Sequence, residues 1–137
     1  MSRYFADTFF WIALTNPRDS AHGEVMKFAA TLPGASVVTS DEVLTEFLTY
    51  CAGNPLLPNA AGAAVLGLQR DPDIRILAQD HQSFQDGLRL YIARPDKAYS
   101  LTDCISMEAL RREGITEVLT NDRHLEQEGL RAVFRWR

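Results

Sequence analysis

Short apolar runs alternate with longer segments of helical period along the whole chain, and few folds accommodate that pattern. Tyr4 to Asp7, Ser36 to Thr39, Ile74 to Leu77 and Glu117 to Thr120 read as buried strands. Helices are expected over Thr8 to Leu14, Ser20 to Thr31, about Asn59 to Arg70, Asp80 to Ala93 and Ser100 to Glu113. A further helix, capped by Ser40 or Asp41, runs to about Ala52. Asn16-Pro17, Pro33-Gly34, Gly53-Asn54-Pro55, Arg94-Pro95-Asp96 and Gly114 stop the helices. Near the end, Arg123 to Glu128 is a short helix, and Leu130 to Trp136 alternates as a half-exposed edge strand. The alternation implies an α/β fold, a mainly parallel sheet with helices on both faces. No repeat or linker interrupts it, so residues 1–137 are expected to form a single domain.

Two helices carry expectations about packing. Phe84, Leu88, Tyr91 and Ile92 recur at intervals of three and four, and core is the favoured reading of Leu88 to Ile92. A homodimer face is the other reading. The small residues from Ala60 to Leu68 suggest a close-packing helix, suited to a dimer contact.

Composition narrows the class. The 46% apolar and 23% charged fractions are ordinary for a soluble globular protein. No apolar run reaches the roughly 20 residues that span a bilayer, and no secretory signal is evident. Cys51 and Cys104 sit in apolar helical contexts without metal spacing, so free thiols and a reducing cytoplasm are expected. A net charge of −4 argues against a broadly basic nucleic-acid surface, although an acidic site can itself supply that charge. Arg111, Arg112, Arg123, Arg131, Arg135 and Arg137 crowd the C-terminal quarter. They form a phosphate-facing stripe or, more ordinarily, a solvated edge.

Four acids, far apart in sequence, stand at element edges: Asp7, Glu46, Asp103 and Asp122. In a parallel sheet, ligands bind beyond the carboxyl ends of the strands, where Asp7 and Asp122 fall. Each acid has a structural reading. Asp7 and Asp122 suit helix caps, Glu46 borders an apolar stripe, and Asp103 suits the third position of a helix capped by Ser100. Together they suit a hard cation, because clustered carboxylates repel and Mg²⁺ or Mn²⁺ prefers oxygen ligands. Such a site favours phosphodiester hydrolysis.

The sequence resembles the PIN-domain family. Asp7-Thr8, Thr45-Glu46-Phe47, Ser100-Leu101-Thr102-Asp103-Cys104 and Thr120-Asn121-Asp122-Arg123-His124 carry the resemblance. The ribonuclease toxins of VapBC-type toxin–antitoxin pairs are the more similar branch. The resemblance implies an α/β/α fold, cleavage of RNA with Mg²⁺ or Mn²⁺, and neutralisation by a small antitoxin. It also implies homodimers. By motif matching, Asp7, Glu46, Asp103 and Asp122 are the catalytic, metal-holding acids.

On that reading Asp7 and Asp103 hold one ion directly, and Glu46 and Asp122 complete its shell through water or bind a second ion. No histidine is placed as a general base: His22 and His81 lie in surface-like helices, and His124 is expected to be structural or exposed. The main rival is a PIN-like domain that binds RNA or protein without cutting. A receiver-like domain would need paired acids after its first strand and a lysine near its fifth. The only lysines are Lys27 and Lys97. A haloacid-dehalogenase-like phosphatase would need a second Asp where Phe9 stands.

Overall fold

The computed structural model describes residues 2–134. The elements in chain order are β1 (Arg3–Ala6), α1 (Thr8–Thr15), α2 (His22–Ala29), β2 (Ser36–Ser40), α3 (Asp41–Ala52), α4 (Pro58–Arg70), β3 (Ile74–Leu77), α5 (His81–Ala93), α6 (Leu101–Glu113) and β4 (Glu117–Leu119). A short 3-10 helix (Arg123–Glu128) and β5 (Arg131–Ala132) follow. The five strands form one sheet in the order β3-β2-β1-β4-β5. Every pairing is parallel, so all carboxyl ends lie along one edge. The chain builds outward from β1 to β3, then returns through α5 and α6 to lay β4 on the other side of β1. The topological switch therefore lies between β1 and β4, the place where such sheets open a crevice.

Local chemistry sets the element ends. Ser40 caps α3 by accepting from the Val43 N–H at 3.1 Å. Asp80 and Ser83 form a capping box on α5, and Ser100 and Asp103 form one on α6. Gly114 closes α6 at φ +67°, a left-handed conformation that costs glycine little. The core gathers Phe5, Phe10, Trp11, Val38, Phe47, Leu110 and Leu119 around the sheet. Trp11 Nε1 donates to Thr39 Oγ1 at 3.1 Å, and that hydroxyl donates to the Ala6 carbonyl at 2.9 Å. This buried chain of bonds fixes α1 across β1 and β2, next to Asp7. α6 is the most enclosed helix, burying Cys104, Ile105, Ser106, Met107, Ala109 and Leu110. Cys51 and Cys104 are both buried free thiols.

Three expectations change. The apolar stripe on α5 is largely outside: Phe84, Tyr91 and Ile92 are 44%, 49% and 68% exposed. The helix instead packs on α6 through buried Gly87 and Leu90. In the small-residue helix α4 only Ala61 is buried, and Ala60, Ala63 and Gly67 are exposed. The final strand is short, pairing only Arg131 and Ala132 with β4. The Arg135, Trp136 and Arg137 part of the expected strand lies outside the described residues. Among the C-terminal arginines that are described, Arg111, Arg112, Arg123 and Arg131 each pair with an acid. No described helix is long and apolar enough to cross a membrane.

Candidate active site

Asp7 follows β1 directly, and its backbone N–H donates to the Leu119 carbonyl at the end of β4. That bond seats Asp7 on the switch between the two strands. Although Asp7 occupies the cap position of α1, its carboxylate makes no capping bond. Thr8, the next residue, turns its buried hydroxyl the other way and donates to Glu46 Oε1 at 2.5 Å. A cross-link between α1 and α3 thus aims Glu46 toward the strand ends.

Asp103 stands one turn into α6 and accepts from the Ser100 N–H through Oδ2 at 3.1 Å. Asp122 caps the 3-10 helix, accepting from the His124 N–H at 3.0 Å and from His124 Nδ1 at 2.9 Å. The Asp122 N–H in turn donates to Thr120 Oγ1 at 3.2 Å. The Thr120 side chain also lies near enough to the Asp7 carboxylate to lower its pKa. Thr120 is 1% exposed, so one buried residue adjoins both Asp7 and Asp122.

The electrostatics bring the four acids together. Burial pushes the Asp7 carboxyl up from 3.8 to about 7; the Asp103 and Glu46 charges add to it, against bonds from Thr8 and Thr120. Asp103 is also raised, first by burial and further by Asp122 and Glu46, while its bonds to Ser100 oppose the rise. Each acid therefore feels at least one other. No arginine or lysine among the described residues pairs with Asp7, Glu46, Asp103 or Asp122. The negative charge is left without a protein cation.

The donor set is carboxylate and hydroxyl oxygen, which suits Mg²⁺ or Mn²⁺ and not a thiophilic metal. Among the described residues, no group of three or more His, Cys, Asp or Glu side chains is already arranged to hold an ion. The hydrogen bonds explain this. Asp103 and Asp122 lean on their own helix starts and Glu46 on Thr8, as mutually repelling carboxylates do when local donors are within reach.

The sequence singles out the four acids but carries no sign of the Thr8–Glu46 cross-link. A buried threonine directly after an acid at a strand end is a weak signal, because its partner is distant in sequence. His124 is exposed, as expected. It borders an open pocket of about 740 Å³ with Asn121, Asp122, Arg123 and Gln127. His22 bonds the Ala13 carbonyl through Nδ1, and His81 stacks on Phe84, so neither joins the acids.

Residues 4–128 match the PIN domain. The 23S rRNA-specific endonuclease VapC20 of Mycobacterium tuberculosis is 27% identical over 118 residues, 86% of this chain and 88% of that protein. The crystal structure of that protein, described as a sarcin–ricin loop cleaving toxin, superposes with a TM-score of 0.85 at 26% identity, covering 95% of this chain and 98% of the other. VapBC2 of Rickettsia felis, bound to a promoter DNA fragment, shares the fold at a TM-score of 0.66 and 12% identity, covering 98% and 99% of the two chains. FitAcB of Neisseria gonorrhoeae does so at 0.65 and 18%, covering 96% of each. With the match spanning nearly all of its length and the acids gathered at the switch of a parallel sheet, the chain belongs to the PIN domain family.

Proposed function

We propose that this chain is a metal-dependent endoribonuclease, the toxin of a toxin–antitoxin pair, acting on structured ribosomal RNA. The observation that carries the reading is the half-buried Asp7 carboxyl at the end of β1, raised by burial and by the neighbouring Asp103 and Glu46 charges, with no arginine or lysine paired to it. The similarity to a 23S rRNA endonuclease over most of both chains supports the substrate class.

Asp7 and Asp103 would hold a Mg²⁺ or Mn²⁺ ion directly, with Glu46 and Asp122 contributing through water. Such an ion, when bound, lowers the pKa of a water and offsets the charge gathering on phosphorus. The protein's own share is orientation. Thr8 keeps one Glu46 oxygen engaged, leaving the other to face the cluster. Asp122 turns His124 so that its ring borders the neighbouring pocket. Arg123 and Gln127 there supply donors for an RNA backbone.

The exposed strip of Phe84, Tyr91 and Ile92 is the surface assigned to a second copy in a homodimer. A small antitoxin is the expected protein partner, on the strength of the resemblance to VapBC-type toxins. The two free buried thiols suit a reducing cytoplasm.

Incubation of purified ribosomes with the protein, followed by primer extension along 23S rRNA, tests the substrate. A discrete stop that appears with Mg²⁺ and is absent with Asp103→Asn is expected. Intact 23S rRNA under conditions where other RNAs are cut would remove the ribosomal assignment. Intact RNA of every kind would leave a domain that binds without cutting.

A further inference from the structure

Asp103 and Asp122 come from different elements, and the sheet does not set their spacing. Asp103 rides on α6, whereas Asp122 lies three residues beyond β4. Leu125 anchors the 3-10 helix in the core. Nevertheless, packing beneath its far end is open: a cavity of about 240 Å³ lies among Met107, Leu110, Glu128 and Leu130. A gap of that kind gives little resistance to tilting.

A polar clamp crosses near the gap. Glu128, the last residue of the 3-10 helix, has a side chain only 10% exposed. Its Oε2 accepts from Arg94 Nε at 3.2 Å and from the Tyr99 hydroxyl at 3.1 Å, and its Oε1 accepts from an Arg94 terminal nitrogen at 3.4 Å. Both partners belong to the segment between α5 and α6, and Tyr99 immediately precedes Ser100, the cap that bonds Asp103. That segment is held in an uncommon shape. Ala98 has φ +57°, a left-handed conformation disfavoured for a residue with a Cβ and kept only where the surroundings enforce it. The Tyr99 phenol is pushed up to about 12, by burial and then by Glu128, so it remains a donor through neutral pH.

We propose that Glu128, gripped by Arg94 and Tyr99, is a positioning residue that sets Asp122 against Asp103. The inference rests on the metal-site reading above. Outer partners that orient ligands typically change metal affinity by about 10- to 100-fold when removed. Glu128→Ala frees the tilt of the 3-10 helix, and Tyr99→Phe keeps the ring packing while removing one bond.

Calorimetric titration of Mn²⁺ into the wild type, Glu128→Ala, Tyr99→Phe and Arg112→Ala, well below their melting points, tests this. Arg112→Ala is the control, since it breaks a different ion pair, with Asp86 on α5. The expected result is Mn²⁺ binding weakened about tenfold in Glu128→Ala, less in Tyr99→Phe, and not at all in Arg112→Ala. Should Glu128→Ala fail to fold, Tyr99→Phe decides alone. Wild-type affinity in the folded clamp variants, or equal weakening in the control, overturns the clamp. A wild type that binds no Mn²⁺ overturns the metal site itself and the clamp with it.

Discussion

Asp7→Asn is expected to lower RNA cleavage by at least about a hundredfold, since it removes a direct ligand, while making the metal-free protein more stable at neutral pH. The two effects have one cause. In the folded, metal-free chain the Asp7 carboxyl titrates at about 7, against 3.8 ordinarily. Between those values the folded chain keeps a proton that the unfolded chain has lost. Raising the pH through that window therefore favours unfolding. The penalty is absent below the unfolded value, grows above about pH 4 and is complete above about pH 7. It amounts to a few kcal/mol at most, on the order of 1.4 kcal/mol for each pH unit between the two values. Asparagine has no such titration. In chelator, the melting curves of wild type and Asp7→Asn should coincide near pH 4 and separate by pH 8, with the variant more stable. Adding Mn²⁺ should raise the wild-type melting temperature and leave the variant nearly unchanged. Coincident curves at both pH values would mean that Asp7 carries no buried charge.

Gly87→Ala is expected to destabilise the fold. Gly87 is where α5 approaches α6. A Cβ there would lie 2.3 Å from Ile105 Cγ1 and 3.1 Å from the Ile105 Cα and N. Rotating the Ile105 side chain relieves only the first contact, and that side chain is itself confined in the core. The backbone contacts require the helices to separate. Overpacking of this kind costs about 1–3 kcal/mol, and the better helix propensity of alanine returns somewhat less than about 1 kcal/mol. A net loss of about 1 kcal/mol would lower the melting temperature by roughly 3–5 °C in a domain of this size. Gly62→Ala in α4 is the contrast. Nothing lies within 4 Å of its Cβ, so the same substitution should stabilise slightly. Equal behaviour of the two variants in denaturant titrations would show that α5 and α6 are not in close contact at Gly87.

The contrast between those glycines also shows what was legible in the sequence. Element types were readable because period two and period 3.6 leave different spacings of apolar residues, and because Ser40, Asp80, Ser100 and Gly114 mark helix ends chemically. Periodicity reports which face of a helix is apolar, not whether another element covers it. That is why Tyr91 and Ile92 read as core and are exposed, while the contact is made by Gly87, whose missing side chain leaves no apolar signal. Three of the acids were legible because Asp7 and Asp122 follow strands and Asp103 opens a helix, whereas Glu46 lies mid-way along α3 and stood out only through the motif. Their supports were not: Thr8 reaches Glu46 across 38 positions, and Tyr99 reaches Glu128 across 29. Such pairs are set by the packing of α1 on α3 and by the return of the chain through α6, which no local pattern encodes.

We propose that Asp7, Glu46, Asp103 and Asp122 form one metal site that cuts RNA. Cleavage of a labelled mixed RNA pool by the purified protein tests it most directly, with Mg²⁺, with Mn²⁺ and with chelator, beside Asp103→Asn. Discrete cuts that need both the metal and Asp103 are the predicted result. Cuts that persist in chelator, or that survive Asp103→Asn at the wild-type rate, would contradict it.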